Sequence, residues 1–181
     1  MGLNSVQIAT CGKLQGFTTA NDTKSVRQRL RESIIYNLKQ ITIANGYTST
    51  VKRVYDPPVS MENMRDYPSI NIHWGREDRE PDIHLQGNNS LVNCRFFLTI
   101  DAFLYTRNDP AQEQDKIIAD VQKMIGDNFY LVDELGNRTA FNALYSGSSV
   151  WGTDTTKPNC GASIELEIWY TYVLNNPYSI L

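Results

Sequence analysis

The amino-acid sequence predicts one α+β domain, in which a mainly antiparallel sheet carries two principal helices packed on one face. Two segments repeat apolar residues at the spacing of an amphipathic helix, and others alternate apolar and polar residues as half-buried strands do. A chain of 181 residues is long enough to bury one core without disulfides or metals. Because no internal repeat or linker divides residues 21–181, we assign them to a single domain.

The first twenty residues differ from the rest in composition. They contain Gly2, Gly12 and Gly16 and few large apolar side chains, which is typical of an extended arm outside the core. Residues 21–23 then offer side-chain oxygens that can cap a helix. A stripe with i, i+4 spacing follows, and Asn45-Gly46 is expected to end this first helix. The stripe consists of Val26, Leu30, Ile34, Leu38 and Ile41.

The second helix is expected to begin at Asn108-Asp109-Pro110, because proline is favoured at the first helical position. Its buried stripe consists of Ile117, Val121 and Met124 or Ile125.

Strands are predicted where apolar and polar residues alternate or where β-branched and aromatic residues dominate. The longest are residues 91–105 and 162–172, and residues 47–55 and 69–74 form shorter ones. The weaker pattern of residues 129–158 predicts short strands at 143–145 and 150–151 and a turn at 135–137. Residues 75–90 are polar and charged, and we expect a connection that is either a β-arm reaching a neighbouring subunit or disordered.

The composition excludes several classes of protein. A formal net charge of -3 and a pI of about 5.4 disfavour a protein built mainly to bind phosphates. No apolar run approaches the ~20 residues that span a bilayer, and the N-terminus lacks the pattern of a secretory signal. The three cysteines are Cys11, Cys94 and Cys160. Their spacing fits neither a disulfide framework nor a zinc site, so we expect a reducing compartment.

Candidate catalytic and metal-binding residues are few. His73 and His84 lack the spacing of metal ligands, and we interpret them as surface or loop residues. Residues 76–82 contain four carboxylates, but also two arginines that would repel a cation. Glu165 and Glu167 face the same way on a strand and could form the carboxylate pair of a hydrolase, although any exposed strand produces this pattern. We therefore expect a protein that is not an enzyme and needs no metal or cofactor.

Charge is distributed unevenly along the chain. Residues 1–90 hold 11 basic and 9 acidic groups, whereas residues 91–181 hold 6 basic and 11 acidic ones. The first helix is basic and the second acidic, which is compatible with solvated faces, with head-to-tail assembly of copies, or with nucleic-acid contact by the first helix. For assembly, the candidate contact residues are Arg27, Arg31, Arg76, Glu77, Asp78, Arg79, Glu80, Asp115 and Asp120.

From residue 22 to residue 174, these segments resemble, in their order and residue patterns, those of the tail terminator, or tail-completion, proteins of long-tailed bacteriophages. The resemblance rests on the helix that opens with Val26-Arg27-Gln28-Arg29-Leu30 and on the segments that follow it. Those segments are Gly46-Tyr47, residues 51–55, Asp56-Pro57-Pro58, Tyr67-Pro68-Ser69-Ile70-Asn71-Ile72, Gly75-Arg76-Glu77, the strand at 98–105, Asp109-Pro110 with its helix, and the final alternating strand.

The resemblance implies a structural virion protein without enzymatic activity or cofactor. By the same resemblance, such a protein forms a homo-oligomeric ring of six copies at the tail–neck junction after assembly in the host cytoplasm. Its partners are the tail tube protein and a neck or head-completion protein, DNA passes through the ring without specific binding, and no membrane is involved. The alternatives are a head–tail connector or neck protein, a small hydrolase using Glu165 and Glu167, and a nucleic-acid binder.

Overall fold

The computed structural model describes residues 24–81, 91–106, 108–152, 159–173 and 176–180. Its helices are α1 (Val26–Lys39) and α2 (Pro110–Asp127), and short 3-10 turns cover Ile43–Asn45 and Met61–Asn63. The strands are β1 (Arg53–Tyr55), β2 (Ser69–Pro81), β3 (Leu91–Tyr105), β4 (Asn142–Trp151), β5 (Asn159–Val173) and β6 (Asn176–Ile180). The predicted arm at residues 1–20 lies outside the described residues.

The strands form one mixed sheet in the order β1-β2-β3-β5-β4, and β6 pairs with the end of β5. The β2–β3, β3–β5, β4–β5 and β5–β6 pairings are antiparallel, while β1 runs parallel to β2. β3 and β5 alternate buried and half-buried side chains along their length, as their sequences predict. The predicted α+β class is confirmed.

The core lies between the buried face of the sheet and the two helices. Leu30, Ile34 and Leu38 of α1 pack in the same cluster as Ile117 and Val121 of α2 and the buried residues of the strands. The second helix begins as predicted, because Asp109 accepts a hydrogen bond from the Gln112 amide at 3.0 Å and Pro110 follows directly. Gln114 then joins this helix to the sheet, since its amide donates to the carbonyls of Trp151 and Gly161.

The first helix ends earlier than the sequence predicts. Its N-cap is Ser25, which accepts from the Gln28 amide, and its last helical residue is Lys39. Thr42 caps the separate 3-10 turn, and Gly46 ends it with a φ of 82°. Residues 21–23, the predicted cap, lie outside the described residues.

Only Arg53–Tyr55 of the predicted strand at 47–55 is a strand. The amides of Thr48 and Ser49 donate to the Asp120 carboxylate instead of a ladder, so a helix side chain holds this segment.

Two further predictions were wrong in extent. The segment expected as a connection from residue 75 is strand up to Pro81, and residues 77–81 pair with residues 92–96 of β3. Residues 82–90, with His84, lie outside the described residues. The two short strands predicted near residues 143 and 150 are one strand, β4, with a register shift between Tyr145 and Gly147.

Candidate functional site

The described helices pack on one face of the sheet and leave the opposite face without a helix. We call it the open face. It is formed by alternate residues of β2, β3, β5 and β4, and on β3 and β5 nearly all of these side chains are half-buried. Half-buried aromatic rings lie on this face, among them Phe97 on β3 and Trp169 on β5.

Arginines cover two of these rings. The guanidinium of Arg95 lies 4.4 Å from the centroid of the Trp169 ring, and its Nε is 3.3 Å from the carboxylate of Glu167. The guanidinium of Arg76 lies 5.0 Å from the centroid of Phe97. Such contacts combine a stacked cation with an ion pair and keep the long side chains ordered at the surface.

The other end of the open face carries a hydrogen-bonded group. His73 Nε2 lies 2.9 Å from a carboxylate oxygen of Asp101, and the Ser163 hydroxyl donates to the other oxygen at 2.6 Å. Nearby, Phe103 and Trp151 meet edge to face with centroids 5.1 Å apart. Ser, His and Asp are present here, but both the hydroxyl and the imidazole contact the same carboxylate, whereas a nucleophilic triad needs the imidazole between the other two.

β4 forms one edge of the sheet and carries no charged residue from Asn142 to Trp151. Leu144, Tyr145 and Val150 are 40%, 36% and 48% exposed. The sequence pattern was too weak here to single out an interface residue. The uncharged composition of 142–151 was nevertheless visible, and it is the signal that could have identified this edge.

Several predicted contact residues form ion pairs within the chain. Arg31 Nη2 lies 2.8 Å from the Asp56 carboxylate, and its guanidinium stacks 4.9 Å from the centroid of Trp74. Lys24 pairs with Glu32 at 2.7 Å. Much of the outward charge of α1 is therefore balanced by acidic groups of the same molecule.

Arg27, Glu77 and Arg79 form a second intrachain group, at the helix-covered face of β2. Arg79 Nε lies 2.8 Å from one Glu77 oxygen, and Arg27 Nη1 lies 3.5 Å from the other. Burial alone would raise the pKa of Glu77. Hydrogen bonds from Arg79 and Tyr170 and the charges of both arginines outweigh burial and hold the pKa below its usual 4.5.

The thiol of Cys94 packs beside this group, with Sγ 3.9 Å from a Glu77 oxygen. Burial, together with the negative charge of Glu77, raises the pKa of Cys94 to about 11. Burial likewise raises the pKa of Cys160. Both thiols are neutral at physiological pH, and a neutral thiol is a poor nucleophile and metal ligand.

The remaining predicted contact residues are divided between surface and interior. Arg76 is exposed and its guanidinium lies 3.2 Å from the half-buried Asp78, and Asp115 is exposed on α2. Asp120 is only 2% exposed, and it accepts hydrogen bonds from the 48–49 segment. Glu80 lies on β2, but its side chain is outside the described residues.

A groove of about 920 Å³ runs between α1 and the turn that follows α2. The predicted turn is confirmed, because Asp133 accepts from the amides of Leu135 and Asn137 and Gly136 has a φ of 82°. Leu135 is 85% exposed at its tip. Lysine, arginine and carboxylate side chains line the groove together, so it does not select a ligand of one charge.

The chemical candidates from the sequence do not assemble into one site. Glu165 and Glu167 both lie on the open face, and Glu167 is the partner of Arg95. Within the described ranges, no three His, Cys, Asp or Glu side chains converge as metal ligands would. Neither of the two described helices combines the length and apolar character needed to cross a membrane.

In comparisons with known proteins, no protein-family model and no curated protein matches this chain. Function is therefore inferred from the surfaces of the described residues.

Proposed function

We propose that this protein is a structural subunit of a bacteriophage virion. In this proposal a ring of copies, a hexamer by resemblance to the tail terminators, caps the head-proximal end of the tail tube. The ring ends tube polymerisation and gives the neck or head a surface for attachment, while DNA passes through it without specific binding. No catalytic step and no cofactor are part of the proposal.

One observation carries the proposal: the helices cover only one face of the sheet. The open face presents aromatic rings, arginines and hydroxyls, of which Arg95 on Trp169 is the clearest pair. Aromatic residues and arginine are enriched at protein–protein interfaces. A ring subunit between tube and neck needs contact surfaces for two neighbours and two partners, and one-sided packing leaves surface for them.

The order of elements gives further support. A helix, a short strand, two long strands, a second helix and two more strands follow one another from α1 to β5. This is the order of segments on which the resemblance to tail terminators depends.

The proposal is tested by adding purified protein to growing tail tubes and measuring tube length by electron microscopy. We expect tubes to stop growing and to carry a ring at one end. A matched pair of variants locates the surface: Glu165→Lys changes an exposed charge on the open face, whereas Glu134→Lys changes an exposed charge in the turn that follows α2, beside α1.

We expect Glu165→Lys to weaken arrest and Glu134→Lys to leave it unchanged. Tubes that grow past saturating wild-type protein would refute the proposal. Binding to finished heads or tails without arrest would instead favour a connector or neck protein.

A further inference from the structure

We infer that the corner where α2 leads into β4 docks on the exposed side of α2 in the next copy of the ring. The side chains of this aromatic corner are Phe129, Tyr130, Arg138, Phe141 and Leu144. The surface that it contacts, the outer face of α2, consists of Ala111, Asp115 and Ala119. This inference deepens the proposed function, because it rests on copies that associate head to tail.

The aromatic corner is assembled from two stretches of chain. The rings of Phe129 and Tyr130 meet edge to face with centroids 5.3 Å apart. The Ala140 amide donates to the Tyr130 carbonyl at 3.0 Å, so the residues just before β4 lie alongside those just after α2. The ring of Phe141 lies 6.3 Å from that of Trp169 on β5. These contacts hold the two stretches together at the start of β4.

The apolar side chains of the corner are exposed as a group. Phe129, Tyr130 and Leu144 are each 40% exposed, and Phe141 is 45% exposed. Single exposed apolar residues are common on soluble proteins, but a group that combines aromatic rings with an arginine is typical of a protein–protein interface. The corner therefore fits a partner surface that covers its rings.

Arg138 determines which charge that partner surface must carry. Its guanidinium lies 4.1 Å from the centroid of the Tyr130 ring, and it forms no ion pair with any described residue. Arg95, by contrast, pairs with Glu167. A partner that covers the corner removes Arg138 from water and must supply a carboxylate, because a buried charge without a counter-charge is costly.

The outer face of α2 supplies a carboxylate in the right setting. Asp115 is exposed there and pairs with no cation of the described chain, whereas the neighbouring Lys116 pairs with Glu113 at 2.7 Å. Ala111 and Ala119 lie one helical turn before and after Asp115 on the same exposed side. Their short side chains leave room for an aromatic ring to approach the helix beside Asp115.

The acids near α1 and at the β1–β2 edge fit Arg138 less well, because they are already paired within the chain. Asp56 pairs with Arg31, Asp66 with Arg53 and Asp78 with Arg76.

The corner and the outer face of α2 are both exposed in a single chain, so neither covers the other and they meet only between copies. Two different surfaces that recognise each other give the heterologous contact from which a ring is built. Their opposite charges set the orientation of that contact.

Charge reversal at the proposed pair tests the inference. The single variants Arg138→Glu and Asp115→Arg each place like charges opposite each other in every contact between copies. In an equimolar mixture, copies of the two variants can alternate, and every contact then joins opposite charges again. Association of the full-length proteins is measured by sedimentation velocity at about 0.05 M salt, where charge pairs are weakly screened.

We expect each single variant to associate roughly tenfold more weakly than wild type or worse, and the mixture to recover the wild-type oligomer. Recovery on mixing shows that both variants are folded. The matched control is Glu62→Arg, which reverses an exposed acid between β1 and β2, across the sheet from β4, and should associate like wild type.

Three results would each overturn the inference. They are single variants that associate like wild type, a mixture that stays dissociated, and wild-type protein that is monomeric both with and without tail tube protein.

A second pair of variants tests the aromatic rings. Phe141→Glu places a charge in the corner, and Ile43→Glu places one on an exposed apolar residue elsewhere. We expect Phe141→Glu to lose the oligomer and Ile43→Glu to keep it, and equal association of the two would overturn the role of the corner.

The inference and the proposed function fail separately. Wild-type protein that arrests tubes while both charge-reversal variants associate normally would overturn the inference alone. Charge reversal and mixing that behave as expected, in a protein that does not arrest tubes, would overturn the function alone.

Discussion

Replacement of Asp120 should destabilise the fold, because its buried carboxylate holds the segment that follows α1. The sequence placed it among the charges that a neighbouring subunit would contact. In the structure its carboxylate accepts hydrogen bonds from the Thr48 amide at 2.8 Å, the Thr48 hydroxyl at 2.9 Å and the Ser49 amide at 2.7 Å. It thereby ties the segment after α1 to α2, so we expect its replacement to reduce stability.

The size of the effect follows from what Asp120→Ala leaves behind. Each hydrogen bond to a charged acceptor contributes about 1.5–3 kcal/mol, and such contributions are not additive. Losing all three, with two backbone amides left without their acceptor, should cost about 3 kcal/mol. Asp120→Asn keeps one acceptor oxygen and should cost roughly half as much.

Urea unfolding followed by circular dichroism measures this cost. With a slope near 2 kcal/mol/M, about 3 kcal/mol corresponds to a midpoint shift of roughly 1.5 M. The matched control is Asp115→Ala, which removes an exposed carboxylate from the same helix and should change stability by less than about 0.5 kcal/mol. Equal midpoints for the Asp120 and Asp115 variants would refute the structural role of Asp120.

Two further outcomes are expected. Because the pKa of Glu77 is lower in the folded chain than its usual 4.5, its contribution to stability is complete above that pH and is lost as pH falls through the folded value. Unfolding at several pH values should therefore show Glu77→Gln less stable than wild type at pH 7, with a difference that shrinks below about pH 4. A Cβ at Gly161 would collide with the Ala102 carbonyl and the Trp151 ring, so Gly161→Ala should lower stability by about 3 kcal/mol. Gly147→Ala, which meets nothing within 4 Å, should be nearly neutral; equal thermal midpoints would contradict this.

The sequence predicted the elements whose periodicity is uninterrupted. The stripes of both helices and the alternation of β3 and β5 are confirmed because each repeats over nine or more residues with one face buried. The start of α2 was also predictable, since Asp109 and Pro110 act locally and need no tertiary partner.

The outer half of β2 was not predictable from its own residues. A charged run such as 76–80 has low strand propensity, and its strand conformation depends on pairing with β3 and on the arginines that surround Glu77. Residues 48 and 49 show the reverse case. They have strand-like composition, but their amides donate hydrogen bonds to the carboxylate of Asp120, about seventy positions later in the chain.

The same limit applies to the candidate interface. The sequence shows that α1 is basic, but it does not show which acidic residues lie close enough in the folded chain to pair with its cations. Lys24 pairs with Glu32 on the same helix. Arg31 pairs with Asp56 after β1, and Arg27 pairs with Glu77 on β2. Partly exposed pairs of this kind contribute little stability, yet they remove the charge that a second copy would have to match. For the proposed assembly, the better candidate is therefore a surface that needs no counter-charge, such as the uncharged edge of β4. Contacts there depend on main-chain hydrogen bonds and apolar side chains, which only the folded sheet brings to one edge.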